Sequence, residues 1–168
     1  KTLFTSGGQR REDVASMRRE DLHGDAWTIP EPTKSRDAHT VPLSSLALEV
    51  LDAAPRFEGP YVFSTTAGER PISGFSKAKH TLDDLSGVTG WRFHDIRRTV
   101  ATALADLGFP PHVAEAVQNR RGGIISGVAA VYNRAAYQKE KREALESWAD
   151  FVRGAVSGAD VVPLRGQR

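Results

Sequence analysis

Cysteine is absent from the 168-residue sequence, and methionine occurs only once. Without thiols the chain can form neither a disulfide framework nor a thiolate site, which fits an intracellular protein. No apolar run approaches the roughly 18 residues that a membrane-spanning helix requires, and the first residues lack the pattern of a secretory signal. These absences exclude the disulfide-rich, thiol-dependent and membrane-spanning classes of protein.

Several common catalytic motifs are also missing. The sequence contains no GxxxxGKS/T phosphate-binding loop and no GxSxG nucleophile motif. Its five histidines are scattered rather than spaced as metal ligands. A site that carries chemistry must therefore be built from arginine, lysine, histidine and tyrosine.

Overall composition and net charge do not indicate which class of partner the protein binds, whereas the positions of the arginines do. The hydrophobic and charged fractions, 39% and 26%, are ordinary for a globular protein of one domain. The net charge is only +2, yet arginines occur in adjacent pairs at 10–11, 18–19, 97–98 and 120–121. Any single pair is equally compatible with a solvated helix surface. Taken together, the pairs favour a polyanionic partner.

The apolar pattern predicts an α+β fold that is mostly helical, with a small three-stranded antiparallel sheet. Residues 26–30 and 38–43 are β-rich runs joined by a polar turn that carries Lys34, which is typical of a hairpin. Residues 61–64 are the third predicted strand.

Apolar residues at spacings of three and four, together with capping residues, predict the helices. They cover residues 11–21, 44–54, 74–85, 94–107, 110–118 and 126–133, followed by a long C-terminal helix from about 136. Leu3 and Phe4 have no helix-start signal before them, so we expect the chain to begin inside an element.

The helix that begins near His94 carries residues suited to chemistry on a phosphodiester. At about 100° per residue, His94 and Arg97 lie about 60° apart and can address one target together. The planar fork of an arginine matches two phosphate oxygens. A lysine can protonate a leaving alkoxide, and a tyrosine activated by cations can attack phosphorus. These residue types predict phosphoryl transfer.

Four motifs follow one another along the chain: GQRREDV at 8–14, TKS at 33–35 before HTVPL, HDIRRT at 94–99 and GVAAVYNR at 127–134. In this order they resemble the catalytic domain of the tyrosine site-specific recombinases, of the phage and genomic-island integrase type. The resemblance extends from about Leu3 to Trp148 and implies the fold of that domain.

The resemblance implies a role for each motif residue. Tyr132 would attack the scissile DNA phosphate, which gives a 3′-phosphotyrosyl link and a free 5′-hydroxyl. Arg10 and Arg97 would hold the non-bridging oxygens. Lys34 would act as the general acid, and His94 would assist proton transfer. The residues expected to contact DNA are Arg10, Lys34, Arg97 and Arg121. Neither a metal nor a nucleotide cofactor is implied, because the covalent link stores the energy of the broken bond.

One position departs from the family pattern. Gln118-Asn119-Arg120 stands where the family has an LNH-like triplet, so Arg120 replaces the usual histidine. Arg120 remains a catalytic candidate because it can donate to a phosphate oxygen, but it cannot release a proton near neutral pH. The alternative function is therefore a catalytically weakened DNA-binding module on the same fold. A helical scaffold that does not bind DNA is the third hypothesis.

Each candidate also has a structural explanation when it is taken alone. Tyr132 lies at helical spacing from two valines, as a core tyrosine would. Lys34 has the features of an exposed turn residue, with Arg36 as a rival for its role. Arg10 can simply pair with Asp13, three residues further on. The functional hypothesis depends on the motifs occurring together.

The resemblance finally implies an organisation for the whole protein. Residues 1–156 would be the catalytic domain of an integrase whose N-terminal DNA-binding domain is absent from this chain, and residues 157–168 a flexible tail. Double-stranded DNA would be the partner, bound by a homotetramer that is monomeric without DNA. The expected location is the cytoplasm of a bacterial cell or of a phage-infected host, away from any membrane.

Overall fold

The computed structural model describes residues 1–30, 38–120 and 128–158, with the backbone alone described from 128 to 136. The helices in these ranges are α1 (Thr2–Thr5), α2 (Arg11–Ala15), α3 (Ser45–Asp52), α4 (Phe75–Ser86), α5 (Phe93–Asp106), α6 (Pro111–Val117) and α7 (Val128–Ser157). The strands are β1 (Leu22–His23), β2 (Ala26–Ile29) and β3 (His39–Pro42), and a 3-10 helix covers Arg19–Asp21.

The strands form one antiparallel sheet in the order β1-β2-β3. Trp27 of β2 pairs with Val41 of β3, and both side chains are buried. Ile29 pairs with His39, so the segment that joins β2 to β3 leaves and re-enters the sheet at that pair. The predicted fold class, mostly helical α+β with a three-stranded antiparallel sheet, is confirmed.

The identity of the third strand was predicted wrongly. The sheet uses Leu22–His23, whereas Tyr61 forms an isolated bridge with Arg18. The backbone N–H of Val62 donates to the carbonyl oxygen of Met17 at 2.9 Å. Val62 therefore pairs with the segment after α2, and the N–H of Tyr61 donates to the carbonyl oxygen of Gly68 at 3.3 Å, so both backbone donors are satisfied outside the sheet.

The same pairing explains why the helix predicted for residues 11–21 is short. Helix α2 ends at Ala15, where the hydroxyl of Ser16 donates to the carbonyl oxygen of Glu12 at 2.8 Å. Met17 is already bonded to Val62, so the backbone cannot continue as a helix. Only a separate 3-10 turn follows.

The predicted starts of α3, α5 and α6 agree with the structure to within one residue. The hydroxyl of Ser44 accepts the N–H of Ala47 at 3.3 Å and caps α3. The carboxylate of Asp95 accepts the N–H of Arg92 at 2.8 Å and fixes the start of α5. Pro111 occupies the first turn of α6, where a missing N–H costs nothing.

Helix α7 is continuous, although the sequence pattern predicts two helices there. It runs for 30 residues, from Val128 to Ser157. No glycine or proline occurs between residues 128 and 153, so no residue type interrupts the helix. Tyr132 therefore lies on the same helix as the buried Trp148. Of the predicted tail, residues 159–168 lie outside the described part of the chain.

The core lies where α7 packs on α1, α3, α5, α6 and β3. Its largest fully buried side chains include Met17, Trp27, Leu104, Leu145 and Trp148. Burying a side chain of this size stabilises the fold by about 1.5–3 kcal/mol. Within the described ranges, no helix combines the length and the apolar character needed to cross a bilayer.

Candidate functional site

A cavity of about 880 Å³ opens between α4, α5, the turn before α2 and the segment after α6. Among the described residues, seven arginines and lysines line it, against two carboxylates. The basic residues are Arg10, Arg11, Lys79, Arg92, Arg97, Arg98 and Arg120, and the acids are Glu12 and Asp83. Such an excess of positive charge favours an anionic ligand.

Arg97 is the one buried side chain among these cations, with 6% of its surface exposed. Its Nη1 donates to the carbonyl oxygen of Gly8 at 2.9 Å, and its Nη2 donates to that of Gln118. These bonds use two of the five N–H donors of a guanidinium group. The remaining donors belong to a group that lines the cavity. Arg97 can thus be anchored to the backbone and bind an anion at once.

Three of the six arginines that line the cavity are coupled electrostatically, and we call Arg10, Arg97 and Arg120 the arginine cluster. Burial, together with the charges of Arg120 and Arg10, lowers the pKa of Arg97 to about 10. Arg97 nevertheless remains protonated at neutral pH. Like charges held together in this way repel one another until an anion neutralises them.

The turn Gly7-Gly8 brings Arg10 to the cluster. Both glycines have positive φ, +80° and +70°, which side chains rarely tolerate. A Cβ added to Gly8 would lie 2.9 Å from the Cα of Arg97. The absence of side chains at this turn therefore allows the segment before α2 to pack directly against α5.

Arg10 itself is loosely held. It is the residue before α2, and its Nη1 lies 3.9 Å from the Oδ2 of Asp13. This distance is too long for a hydrogen bond, and 37% of the side chain is exposed. Burial raises the pKa of Asp13, while Arg10 and Arg97 oppose that shift. The guanidinium group of Arg10 is therefore available to a ligand.

The end of α6 places Arg120. Asn119 adopts positive φ, +48°, and donates its N–H to the carbonyl oxygen of Ala116 at 3.4 Å. The N–H of Arg120 donates to the carbonyl oxygen of Glu115 at 2.9 Å. This is the Schellman arrangement, which ends a helix and reverses the chain direction. The reversal puts Arg120 at the cavity two residues after Gln118.

Helix α4 forms a wall of the cavity, and none of its residues is buried. The rings of Phe75 and Phe93 meet edge to face at 5.9 Å. The ammonium group of Lys79 lies 4.2 Å from the centre of the Trp91 ring and donates to Asp83 at 2.6 Å. Helix α4 has no buried apolar face, so aromatic and cation–π contacts attach it to the rest of the protein instead.

His39 lies where the segment that carries Lys34 re-enters the sheet. Its Nε2 is 3.0 Å from the carbonyl oxygen of Val117, so Nε2 carries the proton and donates it. Burial, together with the charges of Lys141, Arg97 and Arg10, lowers the pKa of His39 to about 4. The imidazole is neutral at pH 7.

Lys141 of α7 anchors the same strand. It is 5% exposed, and its Nζ donates to the carbonyl oxygen of Thr40. Burial lowers the pKa of Lys141 to about 8. The helix that carries Tyr132 is thereby attached to the strand that follows Lys34.

We expect acid to destabilise the protein through His39. Its folded-state pKa, about 4, lies below the ordinary histidine value of 6.5, so the stabilising contribution is present above pH 6.5 and is lost as the pH falls towards 4. The loss is at most about 3 kcal/mol. Urea unfolding of wild type and His39→Gln between pH 7 and 4 measures it. The glutamine keeps a donor but cannot titrate, so an equal pH dependence in both proteins would contradict the assignment.

The structure brings together four of the predicted site residues. Arg10, His94, Arg97 and Arg120 line the same cavity. His94 lies in the first turn of α5 and is exposed. Lys34 and Arg121 lie outside the described residues, and for Tyr132 the description covers only the backbone within α7. Among the described residues, no three or more metal-ligand side chains converge.

Three supporting residues were missed from the sequence: His39, Gln118 and Lys141. Lys141 had a signal, because it stands four residues after Tyr137 and three before Ala144, within the apolar stripe of the C-terminal helix. A lysine in such a stripe indicates a buried polar contact. Nothing in the local sequence marks His39 or Gln118, because the partner of His39 lies 78 residues away and the partners of Gln118 lie 21 and 111 residues away.

Comparisons with known proteins agree with this architecture. Prophage integrase IntA of Escherichia coli (strain K12) is 32% identical over 145 residues, which are 84% of this chain and 35% of the relative. Prophage integrase IntZ of the same strain is 31% identical over 136 residues, 78% of this chain and 33% of that protein. The chain thus spans about a third of the length of these relatives.

Two solved structures share the fold. The crystal structure of XerA recombinase superposes with a TM-score of 0.58 at 12% identity, covering 82% of this chain and 55% of that one. The XerH site-specific recombinase bound to a palindromic difH substrate, a post-cleavage complex, gives a TM-score of 0.55 at 14% identity. It covers 90% of this chain and 44% of that one. The sequence profile of the phage integrase family matches residues 2–139. The chain therefore belongs to the phage integrase family.

Proposed function

We propose that this chain cleaves and rejoins DNA strands in site-specific recombination, as the catalytic part of a longer integrase. The observation that carries the proposal is the arginine cluster, in which three guanidinium groups from distant segments share one cavity. A phosphodiester that becomes pentavalent during attack needs this kind of preorganised positive charge. Membership of the phage integrase family supports DNA as the substrate.

In the proposed reaction the phenol of Tyr132 gives up its proton with the help of His94, its oxygen attacks phosphorus, and the bond to the 5′-oxygen of the next nucleotide breaks. The leaving oxygen takes a proton from Lys34, which gives a 5′-hydroxyl and a 3′-phosphotyrosine. Rejoining reverses the step, since a 5′-hydroxyl attacks phosphorus and Tyr132 leaves. The number of phosphoester bonds stays constant, so the exchange needs no external energy source.

The other cavity residues have supporting roles in this proposal. The arginine cluster holds the non-bridging oxygens, and removing one such donor costs about 10²–10³-fold in rate. His94 lies one helical turn before Arg97 and assists proton transfer. Arg121 and the cations of α4 contact the DNA backbone, whose attraction falls as salt rises.

The expected partners are double-stranded DNA and further copies of this chain. Because the chain spans about a third of its prophage relatives, we expect weak, salt-sensitive binding to double-stranded DNA. The proposal includes a tetramer on DNA and a monomer in its absence. Sedimentation with and without a recombination-site duplex tests both states.

A suicide DNA substrate tests the catalytic proposal. The duplex carries a nick close to the scissile phosphate, so the cleaved end diffuses away and the covalent intermediate accumulates. The expected result is a protein–DNA adduct that resists denaturation, with the nucleotide mapped by mass spectrometry to the peptide containing Tyr132. If the wild-type chain binds the duplex but forms no adduct with any integrase site, the proposal fails.

Arg120 motivates the weakened-module alternative, and replacing it by histidine distinguishes the two functions. If the chain is an active enzyme adapted to arginine, Arg120→His removes one cavity charge, and we expect cleavage to fall about tenfold or more. A large gain in cleavage would instead mark the wild type as a weakened site. Adduct formation per minute at saturating DNA is the measurement, with DNA affinity determined in parallel.

A further inference from the structure

We infer that Gln118 is a positioning residue that fixes Arg97 relative to the Gly7-Gly8 turn, an inference that rests on the proposed DNA cleavage. Gln118 is fully buried, with 0% of its surface exposed. Its Nε2 donates to the carbonyl oxygens of Gly7 at 3.2 Å and Arg97 at 2.8 Å. The backbone carbonyl oxygen of Gln118 in turn accepts a hydrogen bond from the guanidinium group of Arg97. The two residues are bonded in both directions.

The chemistry of the side chain fits this role. One amide nitrogen supplies two N–H donors without any charge. A glutamate would present acceptors to two carbonyl oxygens, and a lysine would add a positive charge beside the arginine cluster. An apolar residue would remove the buried N–H donor that the carbonyl oxygens of Gly7 and Arg97 share, at a cost in stability. Glutamine satisfies both partners and leaves the charge of the cavity unchanged.

Gln118 also connects the three segments that carry the arginine cluster. Gly7 lies three residues before Arg10, and Arg120 lies two residues after Gln118. Arg97 is bound to Gln118 directly and to Gly8 through its Nη1. Losing the side-chain amide therefore breaks the link between the backbone of the turn at Gly7 and the backbone of α5 at Arg97, against which the guanidinium group is positioned. A misplacement of about 1 Å costs a reaction of this kind on the order of a hundredfold.

The test replaces Gln118 by methionine, which has a similar length and no N–H donor. At saturating DNA, we expect the rate of adduct formation by Gln118→Met to fall about a hundredfold. DNA affinity should change less than about threefold, because the charges remain. Ser44→Ala is the control for stability alone, since it removes the cap of α3, away from the cavity. Its cleavage rate should equal that of the wild type at a temperature where both are folded.

A second readout does not depend on catalysis. In spectra of ¹⁵N-labelled protein, the guanidinium N–H signals of Arg97, assigned by their loss in Arg97→Lys, should be separately resolved because their bonds to Gly8 and Gln118 hinder rotation. Gln118→Met keeps both backbone acceptors but removes the amide that ties the turn to α5, so the acceptors are no longer held at a fixed spacing and we expect these signals to average. If Gln118→Met is too unstable, Gln118→Asn keeps the amide on a shorter stem that cannot reach both carbonyl groups, and the same changes are expected.

The outcomes separate the two proposals. A wild-type chain that forms no adduct contradicts the proposed function, and the spectra then decide the role of Gln118 by themselves. Resolved Arg97 signals in the Gln118 variants overturn the inference whether or not the chain cleaves DNA. A wild-type rate of adduct formation in Gln118→Met also overturns it, and leaves the proposed function intact.

Discussion

Tyr132→Phe is expected to form no covalent adduct with a suicide DNA substrate, while it binds the same duplex with wild-type affinity. The substitution removes one oxygen, which is the atom proposed to attack phosphorus, and no other group on the phenylalanine ring can replace it. Binding depends on the cations of the cavity, which the substitution leaves in place. Denaturing electrophoresis of radiolabelled DNA measures the adduct, and a filter-binding titration measures the affinity.

Tyr137→Phe is the matched control. Tyr137 lies five residues further along α7, about 140° around the helix from Tyr132, and its ring is 5.3 Å from that of His112. Its hydroxyl has no part in the proposed reaction, so adduct formation should be unchanged. An adduct in Tyr132→Phe, or its loss in Tyr137→Phe, would show that Tyr132 is not the nucleophile.

Arg97→Lys is expected to slow cleavage by about 10²–10³-fold. A lysine keeps the positive charge, but its ammonium is a compact point with three donors. It cannot hold the carbonyl oxygens of Gly8 and Gln118 and also present a planar fork to two phosphate oxygens. Single-turnover adduct formation at saturating DNA isolates this loss from any change in affinity.

Arg153→Lys is the matched control, because it replaces arginine by lysine at a position outside the cavity. Arg153 lies on α7, outside the cavity, and its guanidinium binds Glu49 and Ser45 at the surface. Exposed ion pairs contribute about 0–1 kcal/mol, so both the melting temperature and the cleavage rate should stay close to wild type. A wild-type rate in Arg97→Lys, with the chain folded, would remove Arg97 from the proposed mechanism.

The sequence predicted correctly those helix starts that depend on hydrogen bonds between residues close together in the chain. The starts of α3, α5 and α6 follow from Ser44, Asp95 and Pro111, each of which acts within three residues of itself. The fold class was predictable for the same reason. The spacing of residues along the sequence predicts which of them share a helix face. His94 and Arg97 lie on one such face, and both line the cavity.

The wrong predictions concern segments whose backbone hydrogen bonds are made with residues distant in the sequence. Residues 61–62 have strand-forming side chains, but Met17 supplies their partner outside the sheet. The length of α2 depends on the same contact. Likewise, the joining of three arginines in one cavity depends on Gln118 and the Gly7-Gly8 turn. Spacing along the sequence does not reveal contacts of this kind.

The hydrogen bonds around Gln118 also determine when, during folding, the site can first exist. The bonds from Arg97 to Gly8, from Gln9 to Val117 and from Gln118 to Gly7 join residues 89, 108 and 111 positions apart. Contacts so distant in sequence carry the entropy of closing long loops and form late. A nascent chain on the ribosome cannot complete the cavity until residue 118 has emerged. The cavity therefore forms only after most of the chain has been synthesised.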